Sequence, residues 1–226
     1  MSGENGSNAP ARRLGRWQWP STPVFLFLAV VMVGLVGLGW SQRGTFFRVA
    51  QTAVLSEQPD DPAHPGTVIN DVDASVRWRF AAEGPYGPTI IADFDVPATG
   101  ARLRLLIRKN TDQTLPASHI VEVAVTAPPD FPGKAIATVG GLIAKSGPGG
   151  DGLPLIGSVA EMAPGDFWFG LSPDPGDVAT NLRLLASSGF FDLPIVYESG
   201  QHAVLIFEKG KTGRAVFQKG LPALAQ

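Results

Sequence analysis

The sequence predicts a mainly β fold, an antiparallel β-sandwich with one short helix, preceded by a single transmembrane helix. Three observations carry this. Val24 to Trp40 is one uncharged apolar run. Beyond it, four stretches alternate apolar and polar residues with period two, as half-buried strands do. The 27 glycines and 20 prolines suit many strands joined by tight turns.

Residues 1–16 are too polar to fold and are expected as a disordered cytoplasmic tail. Residues 17–42 are expected as the anchor. A helix from Trp17 to Trp40 would cover roughly 34 Å, the hydrocarbon thickness plus both interfaces. Trp17 and Trp19 would sit at one headgroup layer and Trp40 at the other. Arg12, Arg13 and Arg16 precede the run and only Arg43 and Arg48 follow it, which favours an N-terminus inside. A cleaved signal peptide shares the basic-then-apolar order, but Gly-Leu-Gly-Trp-Ser-Gln-Arg is a poor cleavage site. Gly34, Gly37, Gly39 and Ser41 would let two helices approach closely, although no clean GxxxG occurs.

Residues 43–66 are expected to leave the membrane. Phe46, Phe47, Val49, Ala50, Ala53 and Val54 form a short, weakly amphipathic stretch, expected as a helix lying near the membrane surface. Gln58-Pro-Asp-Asp-Pro-Ala-His-Pro-Gly66 follows as a stiff linker. The sandwich is expected over 67–220, with a C-terminal tail at 221–226.

Within that domain Val76, Trp78 and Phe80 alternate with Arg77 and Arg79. Ala92, Phe94 and Val96 alternate with Asp93 and Asp95; Leu103, Leu105 and Ile107 with Arg102, Arg104 and Arg108; Val121, Val123 and Val125 enclose Glu122. The turn Pro97-Ala98-Thr99-Gly100 predicts the register. Pairing Val96 with Ala101 sets Phe94 opposite Leu103 inside, and Asp95 opposite Arg102 and Asp93 opposite Arg104 outside. An Arg–Asp–Arg ladder follows.

The second half is less regular. Gly140 to Gly152 reads as a mobile loop. Phe167, Phe169 and Leu171 alternate around Trp168 as a strand. Asp177 reads as the N-cap of a helix over Val178 to Ser187, ended by Gly189. Ile195 to Glu198 and His202 to Phe207 flank Ser199-Gly200 as a hairpin, and Arg214 to Gln218 reads as a last strand.

Composition and motifs exclude much. The net charge of −2 offers no basic field for nucleic acid. The absence of cysteine removes disulfides, thiol catalysis and thiolate metal sites. Gly210-Lys211-Thr212 resembles the end of a phosphate-binding loop, but position 205 is Leu where the cradle needs glycine, so a hairpin turn is expected there. The Gly147–Gly152 loop holds one acid, Asp151, too few for calcium. His64, His119 and His202 lack the spacing of a zinc site. Ser118 and His119, neighbours in a strand, are expected to point to opposite faces, and no Gly-x-Ser-x-Gly elbow occurs. No catalytic, cofactor or metal-binding residue is therefore assigned.

The remaining candidates form an interaction surface: Arg77, Arg79, Asp93, Asp95, Arg102, Arg104 and Trp168. Asp93 and Asp95 sit roughly 7 Å apart on one face. Their arginines would keep both acids ionised rather than poise one as a proton donor. Trp168 either faces outward, where it would stack on a sugar or a partner, or lies under the helix over 177–187.

Arg108-Lys-Asn-Thr-Asp-Gln-Thr-Leu-Pro-Ala-Ser-His119 and Phe191-Asp-Leu-Pro-Ile-Val-Tyr197 resemble an uncharacterised family of bacterial single-pass membrane proteins, over roughly residues 75 to 217. The resemblance implies an inner-membrane protein with a periplasmic domain, and brings no activity or functional residue. The expected function is that of a non-enzymatic, membrane-integral protein whose outer domain contacts a protein partner within an envelope complex. A small-ligand or glycan-binding domain using Trp168 and the glycine loop is the alternative, and an envelope hydrolase ranks behind both.

Overall fold

The computed structural model describes residues 51–57 and 70–225. The expected tail, the anchor, the membrane-surface residues up to Ala50 and the Pro-rich linker lie outside the described residues. Among the described residues no helix is long and apolar enough to cross a membrane.

Among the described residues twelve strands form one sheet: β1 (Gln51–Glu57), β2 (Asn70–Ala81), β3 (Thr89–Val96), β4 (Ala101–Lys109), β5 (His119–Thr126), β6 (Ile136–Val139), β7 (Ile143–Lys145), β8 (Gly152–Pro154), β9 (Gly157–Ala163), β10 (Asp166–Leu171), β11 (Phe190–Tyr197) and β12 (His202–Glu208). Helix α1 (Pro175–Ser187) precedes β11 and helix α2 (Gly210–Leu224) follows β12. The order is β8-β7-β11-β12-β1-β2-β3-β4-β5-β10-β9, with β6 also on β11. Every pairing is antiparallel.

The two sheets of the expected sandwich are thus one curled sheet, and its ends come together. β8 pairs with β7 and β9 with β10, while only Leu155 and Ile156 separate β8 from β9. Leu155 N–H donates to the Leu142 carbonyl at 2.9 Å, and Ser172 N–H donates to the Ile156 carbonyl at 2.9 Å. A single run, 152–163, therefore bridges the two ends of the sheet. Asn181 of α1 pins this bridge: its Oδ1 accepts from Ile156 N–H at 2.8 Å and its Nδ2 donates to the Ile156 carbonyl at 2.9 Å.

The central register is the predicted one. Val96 pairs with Ala101, Phe94 with Leu103, Asp95 with Arg102 and Asp93 with Arg104. Side-chain parity then carries one apolar face across the sheet, because residues directly opposite share a face. Trp78, Phe94, Phe191, Phe207 and Phe217 meet there. The Phe94 and Phe207 rings lie 4.8 Å apart edge-on, and the Trp78 and Phe217 rings 5.1 Å apart edge-on.

Four expectations are corrected. Gln51–Glu57 is a strand between β12 and β2, so Ala53 and Val54 belong to the sheet rather than to a membrane-surface helix. Its alternating burial (Ala53 and Leu55 inside) is too short a pattern to separate from a helical one in sequence. The expected mobile loop over 140–152 contains β7 and the start of β8. Helix α1 starts earlier than expected: Asp174 is the N-cap, its Oδ1 accepting from Gly176 N–H at 2.9 Å, with Pro175 in the first turn. Gly189 makes no left-handed cap, and the helix ends where Ser188 turns extended.

The fourth correction is α2. Arg214 to Gln218 is not a strand, and 221–224 is not tail; both belong to a second helix. Three glycines and Pro222 argue against a helix by propensity, since glycine costs about 1 kcal/mol in a helix interior. Packing overrides them. Gly213, Phe217, Gly220 and Leu224 form its buried stripe. A Cβ on Gly213 would lie 2.9 Å from Trp78 Cδ1, and one on Gly220 would lie 2.5 Å from Ile90 Cγ1. Glycine lets the helix backbone settle on the sheet.

Candidate interaction surface and cleft

The outer face of β2, β3 and β4 carries the predicted charge ladder. Asp93 accepts from Arg104 Nε at 2.6 Å and from Arg79 Nε at 3.3 Å. Arg102 Nε lies 3.5 Å from Asp95 Oδ1. Arg77 stands opposite Asp93 in register. Burial raises the ionisation cost of the Asp93 carboxyl, but the hydrogen bonds and charges of Arg104 and Arg79 outweigh it and hold its pKa below the usual range. The group is a fixed anion. The arginine side chains are exposed at 48 % (Arg79), 57 % (Arg104) and 78 % (Arg102). Asp71 and Asp73 continue this face along β2, so its charges alternate in sign rather than forming one basic field.

Farther along the same outer face the chemistry changes. Arg108 is buried, its guanidinium 4.5 Å from the Tyr86 ring centroid and 5.0 Å from that of Trp168. Its Nη2 lies 3.6 Å from Glu122 Oε2, an ion pair beyond hydrogen-bond length. Burial, then the charge of Asp166, raises the Glu122 pKa against the pull of Arg108. Arg108 Nε, Glu122 Oε2, Asp166 Oδ1 and Trp168 Nε1 are buried without hydrogen-bond partners among the described residues.

Trp168 is therefore on the outer face but not a bare platform. It is half-buried between Glu122 and Ala160 in register and covered by Arg108. Helix α1 instead contributes Leu184 and Leu185 to the core on the other side of the sheet. The structure brings Arg77, Arg79, Asp93, Asp95, Arg102 and Arg104 together, and sets Trp168 in a separate cluster with Arg108.

Beside that cluster lies a cleft of about 800 Å³. Its walls are the β2–β3 loop, the β4–β5 loop and Ala223 of α2. Tyr86, 45 % exposed, belongs to both features. Asn110 organises the β4–β5 loop: its Nδ2 reaches the carbonyls of Asp112 (2.9 Å), Leu115 (3.1 Å) and Ala117 (2.8 Å). Asp112 Oδ1 accepts from both Thr114 Oγ1 (2.7 Å) and Thr114 N–H (2.9 Å), and these bonds lower its pKa. A single signal for this site was present in the sequence: Gly84-Pro-Tyr-Gly-Pro88 places an aromatic in a stiff turn, where no core needs it.

The other motifs resolve differently from expectation. Ser118 and His119 do meet, His119 Nδ1 lying 3.2 Å from Ser118 Oγ. Strand parity fails because Ser118 is a bend before β5 begins. His119 is buried, with Nε2 3.2 Å from the Leu224 carbonyl, so it ties β5 to the end of α2. Burial leads and the charge of Lys109 adds to the lowering of its pKa, opposed by that carbonyl. Gly210-Lys211-Thr212 opens α2 rather than a hairpin turn. Only Lys209 separates it from β12, which leaves no glycine loop to cradle a phosphate. Among the described residues no group of three acids, histidines or cysteines is placed to hold a metal.

Two buried lysines were not singled out in sequence. Lys145 Nζ donates to Asp192 Oδ2 at 3.0 Å and to the Pro148 carbonyl at 3.0 Å, holding the Ser146–Asp151 turn over the sheet. Burial raises the Asp192 pKa, and Lys145 opposes it. Lys209 is fully buried. Its Nζ donates to the carbonyls of Leu185 and Ala186 at the end of α1 and lies 4.1 Å from the Phe217 ring centroid.

No family model, curated protein or solved structure matches this chain.

Proposed function

We propose that the described domain is the outward-facing interaction module of a bitopic protein of a bacterial inner membrane, and that it docks a protein partner of an envelope complex. In this reading the apolar run Val24 to Trp40 is the anchor, with the N-terminus cytoplasmic and the domain periplasmic. The observation that carries the docking role is the charged face of β2, β3 and β4. Arg79, Arg102 and Arg104 are held in fixed register on a rigid sheet, each meeting its aspartate through Nε. Their terminal amino groups make no hydrogen bond among the described residues and remain available to a partner's carboxylates. Exposed ion pairs of this kind add little stability, about 0–1 kcal/mol each. A patterned face of both signs instead provides orientation and selectivity in association.

The test is crosslinking in intact cells followed by mass spectrometry, comparing wild type with the double variant Arg102→Glu and Arg104→Glu. Loss of a reproducible membrane-protein crosslink, with an unchanged melting temperature, is the expected result. A crosslink pattern identical to wild type refutes this docking face.

A further inference from the structure

We infer that the cleft between the β2–β3 and β4–β5 loops is a binding site for a neutral saccharide, with Tyr86 as its stacking platform. This goes beyond the proposed docking role and uses a different surface. The argument starts with rigidity. Arg108 lies under one face of the Tyr86 ring at 4.5 Å, and is itself backed by Trp168 at 5.0 Å and Glu122 at 3.6 Å. Pro85 and Pro88 flank the tyrosine and stiffen its loop. The opposite wall is fixed by Asn110, whose side chain spans its own loop. Both walls are therefore formed before any ligand arrives, which limits the ordering cost of binding.

The lining decides the ligand class. A partly exposed aromatic ring offers a face to the apolar C–H side of a pyranose. Around it stand Lys109, Thr111, Asp112 and Gln113, donors and acceptors suited to hydroxyl groups. Lys109 and Asp112 are the charged lining residues, and they balance. An anionic ligand would meet no excess of positive charge, and a purely apolar one would leave the polar wall without partners. Asp112 is held ionised by Thr114 rather than poised to give up a proton, which fits binding rather than hydrolysis. The volume, about 800 Å³, accommodates an oligosaccharide segment. Arg108 acts here as a positioning residue, setting the ring without touching the sugar.

The experiment uses the full chain in a zwitterionic detergent that carries no sugar headgroup. Neutral chito-, cello-, xylo- and malto-oligosaccharides are screened on an array, and the best binder is then titrated calorimetrically. Wild type should bind one series. Tyr86→Ala should weaken that binding about tenfold or more, while Tyr86→Phe, which keeps the stacking face, should stay within about threefold. Because Tyr86 is surface-exposed, equal melting temperatures should accompany both. The inference is overturned if no series binds at about millimolar sugar, if Tyr86→Ala binds like wild type, or if the cleft takes a proline-rich peptide and no sugar. Arg102→Glu with Arg104→Glu should leave sugar binding unchanged, which separates this result from the fate of the docking face.

Discussion

Lys209→Met tests how a fully buried ammonium is tolerated between two helices. Helix α1 has no basic residue in its last turn, and Lys209, from the start of α2, supplies the cation to its final carbonyls. This is the favourable end of the helix dipole for positive charge. Methionine keeps much of the stem volume and removes the donor. Leaving the Leu185 and Ala186 carbonyls without it costs about 1–3 kcal/mol per orphaned group. In the other direction, burial first and the charge of Arg214 second lower the lysine pKa from 10.5 to about 8. That drop represents roughly 3 kcal/mol of penalty for the charged form, which methionine does not incur. The two effects nearly cancel at neutral pH, so stability there discriminates poorly.

The pH dependence discriminates well. Above about pH 8 the folded lysine loses its proton, whereas the unfolded one keeps it up to 10.5. Where the unfolded chain binds more protons, stability rises with pH. The wild-type-minus-variant difference in unfolding free energy should therefore climb by about 2.5 kcal/mol between about pH 7 and about pH 10. Tyr197, whose pKa is raised by burial and by Glu57, pulls the opposite way near the top of this range. It is common to both proteins and drops out of the difference. Urea unfolding across this range measures it. A difference that stays flat would show that the carbonyls and rings offset the desolvation of the ammonium in full, and the argument would fail.

Two further outcomes follow from the structure. Gly220→Ala should destabilise the domain by about 1–3 kcal/mol through overpacking against Ile90, outweighing the gain of about 1 kcal/mol in helix propensity, as thermal or urea unfolding will show. Gly149→Cys introduces a thiol into a cysteine-free chain at an exposed turn with open space around its Cβ. Membrane-impermeant maleimide should label it from the periplasmic side of spheroplasts, and labelling confined to inverted vesicles would reverse the proposed orientation.

Much of the first half was legible because strand parity and a short turn are local. Val96 and Ala101, joined through Pro97–Gly100, set a register that places Asp93 against Arg104 without further information. The charge ladder followed from counting residues. The cleft did not follow, because Tyr86, Asn110 and Ala223 lie in three separate parts of the chain. For Trp168 the sequence leaves two places open, outward or under the helix; the fold sets it on the outer face, and its partner Arg108 lies two strands away with no local pattern to link them. Ser118 and His119 misled because Ser118 is a bend and the strand begins only at His119, so strand parity does not relate the two.

The sequence by itself determined the β character of the domain, its central register and the sidedness of its charges, since each depends on neighbours in the chain. Only the tertiary structure decided that the sheet closes on itself through 152–163 and that a glycine-rich segment becomes α2. It also decided which loops enclose the cleft. The physical reason is common to all three: the deciding contacts, Ile156 with Asn181, Gly220 with Ile90 and Tyr86 with Arg108, join residues whose proximity is created by the fold. Local propensity was outweighed wherever close packing against a distant strand rewarded a residue that no helix or strand preference would choose.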